Sequence, residues 1–373
     1  MSSTRSKTIV VLAGYAPSLI NFRGRMLQDL VAHGYRVHAV APEDDAEVRS
    51  VLQQWQVEYH TVPLNRSGIS LKGDLKLFQA YHQLLQRLKP QVVFAYTIKP
   101  VIFGSLAARM AGVKKMVSMI TGLGYSFSAE AKSHVKLISR LLYRTALSTN
   151  QTVIFQNPDD RDLFLKEGLT SAGKVRIVNG SGVDVQQFAV QPLPANRKRF
   201  LLIARLLRDK GIREYAEAAR LVHQKHPEAE FYLLGPTDPS PNAIQQSELD
   251  AWVQEGTLKY LGATKDVRPF IAEYCSVYVL PSYREGTPRS VLEAMSLGRA
   301  IITTDTPGCR ETVEDGVNGR LVPVKESAGL AQAMLEFLDH PEQVEQMARK
   351  SRQLVEEKYA VEKVNAVLLE ILQ

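Results

Sequence analysis

The fold of this chain is decided by the stretch Val277-Tyr278-Val279-Leu280, followed after four residues by Glu285-Gly286-Thr287-Pro288-Arg289-Ser290-Val291-Leu292-Glu293. The apolar run predicts a buried strand, and Pro288 favours the first turn of a helix because its missing N–H would have no intrahelical partner there. We expect Thr287 to cap this helix and the N–H groups of Arg289 and Ser290 to face an anion. In α/β proteins, a strand end next to a helix N-terminus is a place where nucleotides bind.

Short apolar segments alternate with amphipathic segments along the chain, which is typical of βαβ units in parallel sheets. The predicted strands of the first half are Thr8–Ala13, Tyr35–Ala41, Gln91–Ala95, Lys115–Ile120, Thr152–Phe155 and Val175–Val178. Beyond a linker-like segment at residues 191–199 they are Phe200–Ala204, Glu230–Leu234, Leu258–Leu261, Val277–Leu280 and Ala300–Thr303. A chain of 373 residues suits two domains. We therefore predict an α/β protein with two Rossmann-like domains, residues 1–189 and 190–358.

The spacing of Glu285 and Glu293 resembles the paired-glutamate motif of the retaining glycosyltransferases of family 4. The resemblance implies the GT-B fold, with a deep cleft between the domains and a last helix, here 359–373, that packs back on the first domain. It implies that Glu293 holds the ribose of a nucleotide sugar, that Glu285 lies near the sugar, and that the helix N-terminus between them binds the diphosphate. Many members have an aromatic residue and a glycine in place of Thr287 and Pro288, so one phosphate-facing N–H is expected to be absent.

A second cationic loop, Arg205 to Lys210, follows the strand Phe200–Ala204. Two cations there can stabilise a departing diphosphate, and the family resemblance makes Arg205 and Lys210 the pyrophosphate clamp; an exposed basic loop is the alternative. In related proteins the loop at 261–267 meets the base through its backbone, although Asp266 is more typical of a helix cap. The predicted catalytic residues are Arg205, Lys210 and Glu285, and the predicted donor-binding residues are Gly286, Thr287, Pro288, Arg289, Ser290, Glu293, Thr264, Asp266 and Val267.

Three loops of the first domain, at 14–24, 96–100 and 121–127, follow predicted strands and face the acceptor side by resemblance. None has the glycine spacing of a dinucleotide site. Many relatives have a histidine near Ile98 and Lys99, so no general base is assigned here. For each loop, a plain connection is an equal alternative. The predicted acceptor-side residues are Gly14, Asn21, Arg23, Lys99, Thr121 and Tyr125.

The segment 132–149 predicts a helix with a basic stripe formed by Lys132, Lys136, Arg140 and Arg144. Like charges four residues apart repel by a few tenths of a kcal/mol, so the stripe indicates an external anion such as a lipid headgroup. A solvated helix face is the alternative. The expected inner face consists of Val135, Ile138, Leu142 and Thr145.

The cysteine and histidine positions and the lengths of the apolar stretches limit the kinds of protein that this chain can be. The two cysteines, Cys275 and Cys309, fit no metal spacing, and no apolar stretch is long enough to span a membrane. The eight histidines show no ligand set with cysteine or carboxylate partners, so no metal site is predicted. We therefore expect a cytoplasmic protein that is peripheral at the inner face of the cell membrane.

Together these features predict a metal-independent, cofactor-free retaining glycosyltransferase of the hexosyltransferase type. Its expected partners are a UDP-sugar donor, an anionic membrane and a lipid-linked saccharide acceptor, because the first-domain loops resemble those of bacterial enzymes that glycosylate polyprenyl-diphosphate-linked saccharides. A UDP-sugar epimerase of the same fold is the alternative. The net charge of +7 is compatible with nucleic acid, but no aromatic–basic binding motif is present in the sequence, so no nucleic-acid partner is expected.

Overall fold

The computed structural model describes residues 7–65, 70–124, 127 and 132–373. Contacts divide the chain into two compact units. The first runs to Ser181 and also contains Glu362–Gln373, and the second contains Gly182–Val361. The predicted boundary at 189/190 therefore falls inside the second unit. The reason is that Phe188 is buried in the core of that unit, among side chains of its sheet and helices.

The first unit is built on a parallel seven-stranded sheet with the order β3-β2-β1-β4-β5-β6-β7. Its strands are β1 (Thr8–Leu12), β2 (Arg36–Ala41), β3 (Glu58–Thr61), β4 (Val92–Tyr96), β5 (Lys115–Ile120), β6 (Thr152–Phe155) and β7 (Val175–Ile177). Strand β3 was not predicted, because its sequence is polar and lies at the sheet edge. The central strands are buried on both sides and are read from sequence as apolar runs.

Helices cover both faces of this sheet. They are α1 (Pro17–Asn21), α2 (Gly24–Ala32), α3 (Ala46–Gln54), α4 (Leu71–Leu88), α5 (Ile98–Met110), α6 (Ser133–Ser148) and α7 (Pro158–Lys166). Alternate residues of β1 enter two different cores: Ile9 packs in one and Val10 in the other.

The second unit repeats the architecture with a parallel six-stranded sheet in the order β10-β9-β8-β11-β12-β13. Its strands are β8 (Arg199–Ile203), β9 (Glu230–Leu234), β10 (Lys259–Tyr260), β11 (Val277–Leu280), β12 (Ala300–Thr304) and β13 (Gly319–Val322). Its helices are α8 (Ile212–His223), α9 (Gln246–Gln254), α10 (Arg268–Tyr274), α11 (Arg289–Ser296), α12 (Ser327–Asp339) and α13 (Pro341–Leu354). The strand order reverses between β8 and β11, which makes their carboxyl ends the expected ligand site of an open α/β sheet.

The chain leaves the second unit through a π-helical segment at Val355–Tyr359 and ends in α14 (Val361–Leu372). Leu368 of α14 is buried in the first unit's core, and Asn365 Nδ2 donates to Asp29 Oδ2 over 2.8 Å. The chain passes from one unit to the other at residues 181–182 and 361–362. These two places are adjacent, because Val183 forms a parallel bridge with Ala360. Gly182 has φ +69°, and a Cβ there would lie 2.7 Å from Val361 Cα, so this approach requires glycine.

Within the ranges described above, no helix combines the length and the apolar character needed to cross a membrane.

Candidate functional site

Three loops at the carboxyl edge of the second sheet are joined into one surface. The loop after β8 contacts the loop after β11, because Tyr283 N–H donates to Asp209 O over 2.8 Å. The loop after β11 contacts the loop after β12, because Glu285 N–H donates to Pro307 O over 3.0 Å. The structure thus brings the loop of Lys210 and the loop of Glu285 together. We call this surface, formed by residues 205–211, 281–290 and 305–311, the donor edge.

Two glycines permit the close approach of these loops. Gly211 has φ +72°, and a Cβ at this position would lie 2.1 Å from Pro281 O. Gly308 has φ +84°, and its Cβ would lie 2.2 Å from Glu285 O. At each position, the positive φ and the nearby carbonyl oxygen exclude a residue with a Cβ unless the backbone moves.

Lys210 and Glu285 form an ion pair at the centre of the donor edge. Lys210 Nζ lies 2.5 Å from Glu285 Oε1, and the same oxygen accepts a 2.8 Å hydrogen bond from Ser282 Oγ. The side chains are only 20% and 16% exposed. Burial acts to lower the pKa of Lys210, but the charge of Glu285 and its hydrogen bond outweigh it and raise the pKa overall. Lys210 therefore stays positively charged.

Arg205 makes a different ion pair. Its Nη1 lies 2.9 Å from Asp238 Oδ2, and its side chain is 56% exposed. Burial acts to raise the pKa of Asp238, but hydrogen bonds to Ser240 and the charge of Arg205 lower it overall. The two cations of the predicted clamp thus have separate acidic partners in this structure.

Glu293 lies on α11, one turn inside the helix. Its side chain is 12% exposed, and its Oε1 accepts a 2.8 Å hydrogen bond from Arg289 Nε. A partner for this carboxylate was expected, since an unpaired buried charge is costly. Burial raises the pKa of Glu293 although Arg289 opposes the shift, and nearby Asp266 raises it further.

The start of α11 differs from the prediction. Pro288, and not Thr287, occupies the N-cap position of the helix. The intrahelical bonds begin with Val291 and Leu292, whose N–H groups donate to Pro288 O over 3.1 and 3.3 Å. Arg289 and Ser290 are then the first two helical residues, as the phosphate hypothesis requires, and buried Gly286 precedes them in the loop.

The loop before α10 is held by its own side chains. Asp266 Oδ1 accepts from Arg268 N–H over 3.1 Å and also binds the Arg268 guanidinium, while Val267 occupies the N-cap position of α10. Thr264 Oγ1 donates to Asp266 O over 3.0 Å, and Val267 packs against the core of the second unit. These contacts fix the backbone of the loop that is predicted to meet the base.

In the first unit, the loops after β1 and β4 are in contact. A Cβ on Gly14 would lie 2.5 Å from Thr97 Oγ1, and Thr97 itself has φ +70°. Arg23 is buried beneath them: its Nη2 lies 2.8 Å from Met119 Sδ, and its guanidinium lies 5.2 Å from the centre of the Tyr96 ring.

The other residues predicted for the acceptor side take no part in this contact. Lys99 Nζ pairs with Asp74 Oδ1 of α4 at 2.7 Å, and both side chains are largely buried. Asn21 is exposed at the end of α1, and Thr121 is half-buried after β5. Tyr125 lies outside the described residues.

The basic helix α6 has a different orientation from the expected one. Its buried residues are Ser139, Tyr143, Ala146 and Leu147, so the placement of Ile138 and Thr145 on the inner face was wrong. Arg140 is engaged by Glu167 through two hydrogen bonds of 2.6 Å, which interrupts the basic stripe. Lys132 and Arg144 are exposed, and so are Leu137 at 69% and Leu141 at 64%, whereas Lys136 is half-buried.

One cluster of side chains was not predicted from the sequence. His38 and His60 lie next to Glu58, so the statement that the histidines form no ligand set with carboxylates is wrong at this place. Because β3 was not predicted, the adjacency of Glu58 and His60 to β2 was not visible. Ser282, the hydroxyl donor to Glu285, was also missed, since a serine in a loop carries no distinctive pattern.

Comparison with known proteins identifies the family. The family described as "Glycosyl transferase 4-like" matches residues 19–157, and the family described as "Glycosyl transferases group 1" matches residues 197–340. The chain is 26% identical to an N,N'-diacetylbacillosaminyl-diphospho-undecaprenol alpha-1,3-N-acetylgalactosaminyltransferase of Campylobacter jejuni, covering 86% of this chain and 87% of that protein. It is 27% identical to an Escherichia coli UDP-Gal:alpha-D-GlcNAc-diphosphoundecaprenol alpha-1,3-galactosyltransferase, covering 74% of each chain.

Solved structures agree with the fold. The chain superposes on Anabaena HepE, solved in complex with UDP and glucose, with a TM-score of 0.76 at 20% identity over 98% of each chain. It superposes on the sucrose-phosphate synthase of Thermosynechococcus elongatus with a TM-score of 0.80 at 17% identity, again over 98% of each chain. With matches in both halves and two Rossmann-like units, this enzyme belongs to the group 1 and family 4-like glycosyltransferases of GT-B fold.

Proposed function

We propose that this glycosyltransferase moves a hexose or an N-acetylhexosamine from a UDP-sugar to a polyprenyl-diphosphate-linked saccharide, with retention of the anomeric configuration. The observation that carries the donor half of the proposal is the Lys210–Glu285 ion pair, held at 2.5 Å on one sheet edge with the start of α11.

The charges of the donor edge suit a nucleoside diphosphate. Lys210 provides a cation with a raised pKa, and the first turn of α11 provides backbone N–H groups and the positive end of a helix dipole. Both would stabilise the negative charge that develops on the leaving UDP as the sugar–phosphate bond breaks. Glu285 would then exchange its ion pair for contact with the donor sugar.

Glu293 is suited to the ribose. Its carboxylate is buried within the helix that begins at the phosphate site, and it is oriented by Arg289. An ionised carboxylate accepts hydrogen bonds from two neighbouring hydroxyls, and such charge-assisted bonds are about twice as strong as neutral ones. The fixed loop at Thr264–Val267 would contact the base through its backbone.

We assign the acceptor proton to an oxygen of the departing phosphate, since Ile98 is apolar and Lys99 is engaged in an ion pair with Asp74. In this scheme the acceptor hydroxyl attacks from the face that the diphosphate leaves, and no metal ion or other cofactor takes part. Transfer that persists undiminished in excess EDTA would support metal independence, and loss of transfer that Mg²⁺ or Mn²⁺ restores would contradict it.

The acceptor half of the proposal draws on the two relatives, both of which are named for diphospho-undecaprenol-linked acceptors and alpha-linked products. The exposed residues Lys132, Leu137, Leu141 and Arg144 of α6 are of the kind that contacts an anionic membrane surface, where such acceptors reside. We therefore place the enzyme at the inner face of the cell membrane.

The decisive experiment incubates the purified chain with UDP- and GDP-linked sugars and with synthetic polyprenyl-diphosphate-linked mono- and disaccharides. We expect transfer from one UDP-sugar, detected by mass spectrometry, and an α-anomeric signal in the NMR spectrum of the product when the donor is α-linked. Transfer only from GDP-sugars would contradict the proposed donor, and a β-linked product would contradict retention. The same acceptor sugar without its lipid diphosphate tests whether that group is required.

A further inference from the structure

Two histidines and a glutamate lie together on the two strands at one edge of the first sheet. In the parallel pairing of β2 with β3, His38 lies opposite Glu58, and His60 lies opposite Val40 two residues further on. Residues two apart in a strand project from the same face, so all three side chains share one face of the sheet. One ligand atom from each lies within 4.8 Å of the others.

The distances from His38 to the other two side chains are close to those between zinc ligands. His38 Nδ1 lies 3.0 Å from His60 Nε2 and 3.4 Å from Glu58 Oε2. Tetrahedral zinc with ligand bonds of about 2.0–2.1 Å places two ligand atoms about 3.3–3.4 Å apart. Small side-chain rotations would therefore bring the three atoms to the vertices of one tetrahedron.

The surroundings orient the carboxylate and leave a path for an ion. Arg36 Nε and Nη2 both donate to Glu58 Oε1, at 2.9 and 2.8 Å, and this leaves Oε2 directed at His38. Groups that orient a ligand in this way contribute to metal affinity. The Glu58 side chain is 47% exposed and His60 is half-buried, so an ion can enter from solvent although His38 is buried. The positive charge of Arg36 opposes a cation, so we expect micromolar rather than tighter binding.

We propose that His38, Glu58 and His60 bind one Zn²⁺ ion, with water as the fourth ligand. Two imidazoles and one carboxylate form an established zinc-ligand set, and imidazole favours zinc over magnesium or calcium. The bound ion links the edge strand β3 to β2 and stabilises their pairing. Its role is structural and separate from sugar transfer.

The test uses the 373-residue chain without a histidine tag, stripped with EDTA and desalted. Titration with ZnSO₄ against a fluorescent zinc indicator should show one equivalent bound per chain, and zinc should raise the melting temperature. The variants H60A and E58Q should each weaken zinc binding at least tenfold and lose the shift in melting temperature. The matched control H33A, which removes an exposed histidine of the same unit, should bind as the wild type does.

Cobalt gives a second readout that does not depend on any variant. Co²⁺ added to the wild-type chain should produce the intense visible absorption of a tetrahedral site, and Zn²⁺ should displace it. Wild-type protein that binds less than one equivalent at micromolar zinc, or H60A and E58Q that bind as tightly as wild type, would overturn the proposal. If H60A fails to fold, E58Q and the cobalt spectrum decide, and a spectrum of octahedral type counts against the site.

Discussion

The carboxyl edges of the two parallel sheets differ in how they hold their buried charges. In the second unit, Lys210 of the donor edge faces Glu285 on the adjoining loop, and Arg289 faces Glu293 within α11. In the first unit, Arg23 lies against the sulfur of Met119 and the ring of Tyr96. Lys99 pairs with α4 rather than with a neighbouring strand-end loop.

This difference shows that topology alone does not determine what a sheet edge binds. Both edges have the strand order that creates a ligand site, but Lys210 of the second edge pairs with a carboxylate on an adjoining strand-end loop, whereas Lys99 of the first pairs with a helix.

The largest expected effect compares one lysine from each edge. K210A should lower turnover by about 10²–10³-fold, the usual loss for one group that stabilises charge in a transition state. K99A should lower turnover less than tenfold at saturating acceptor, since its predicted role is confined to the acceptor side. Initial rates with K225A, which removes an exposed lysine of the second unit, provide the control. Equal losses in K210A and K99A would erase the proposed distinction between the edges.

A pair of glycine variants compares the rigidity of the two edges. G308A should destabilise the second unit by about 2–3 kcal/mol, because a Cβ would clash with Glu285 O at a positive φ. G14A should cost the first unit about 1 kcal/mol, because its Cβ meets Thr97 Oγ1, a side-chain atom that can rotate away.

The chain has two tryptophans, and each reports on one unit, Trp55 on the first and Trp252 on the second. Urea unfolding followed by fluorescence in W252F and W55F backgrounds therefore measures the two stabilities separately. A larger loss in G14A than in G308A would contradict the clash argument.

The proposed membrane contact of α6 can be tested by charge reversal, with a matched pair of variants on the second unit as the control. Reversing Lys132 and Arg144 to Glu removes at least two favourable lipid contacts of about 1 kcal/mol each, so partitioning onto anionic liposomes should fall about 30-fold or more. The pair K225E and K350E, which makes the same charge change on exposed positions of the second unit, should retain binding. Flotation measures both. R140Q should have little effect on flotation, because Arg140 is already engaged by Glu167.

The smallest effect concerns Glu293. E293Q should weaken UDP binding about tenfold, because a neutral acceptor forms weaker hydrogen bonds to ribose hydroxyls than a carboxylate does. Isothermal titration with UDP gives the affinity, and E314Q, at an exposed glutamate of the same unit, should bind UDP normally. Unchanged affinity in E293Q would remove the ribose contact from the proposal while leaving the role of Lys210 intact.

Sequence reasoning recovered the fold, and it singled out Lys210 and Glu285 on loops that the structure brings together, because both results depend on local patterns. The buried strands are continuous apolar runs, and Lys210, Glu285 and Glu293 lie at fixed distances from strand ends within recognisable motifs. A short polar edge strand such as β3 has no such pattern. Its pairing with β2 is set by tertiary contacts, and the cluster at His38 depended on that pairing.

Helix orientation and partners were harder to predict. The buried face of α6 is determined by Tyr143, which packs against Phe164 of α7 with ring centres 5.2 Å apart, and sequence alone gives no information on that neighbour. Likewise, the partner of Arg205 is Asp238, 33 positions away, so sequence could not distinguish a diphosphate clamp from an ion pair.

The second unit is an insertion in the sequence of the first unit. The bridge between Val183 and Ala360 brings the two ends of this insertion next to each other. Deleting residues 182–361 and joining Ser181 to Glu362 should therefore leave an autonomous Rossmann-like protein. A fragment that stops at Ser181 would lack Val364 and Leu368 and would expose the apolar surface that they cover.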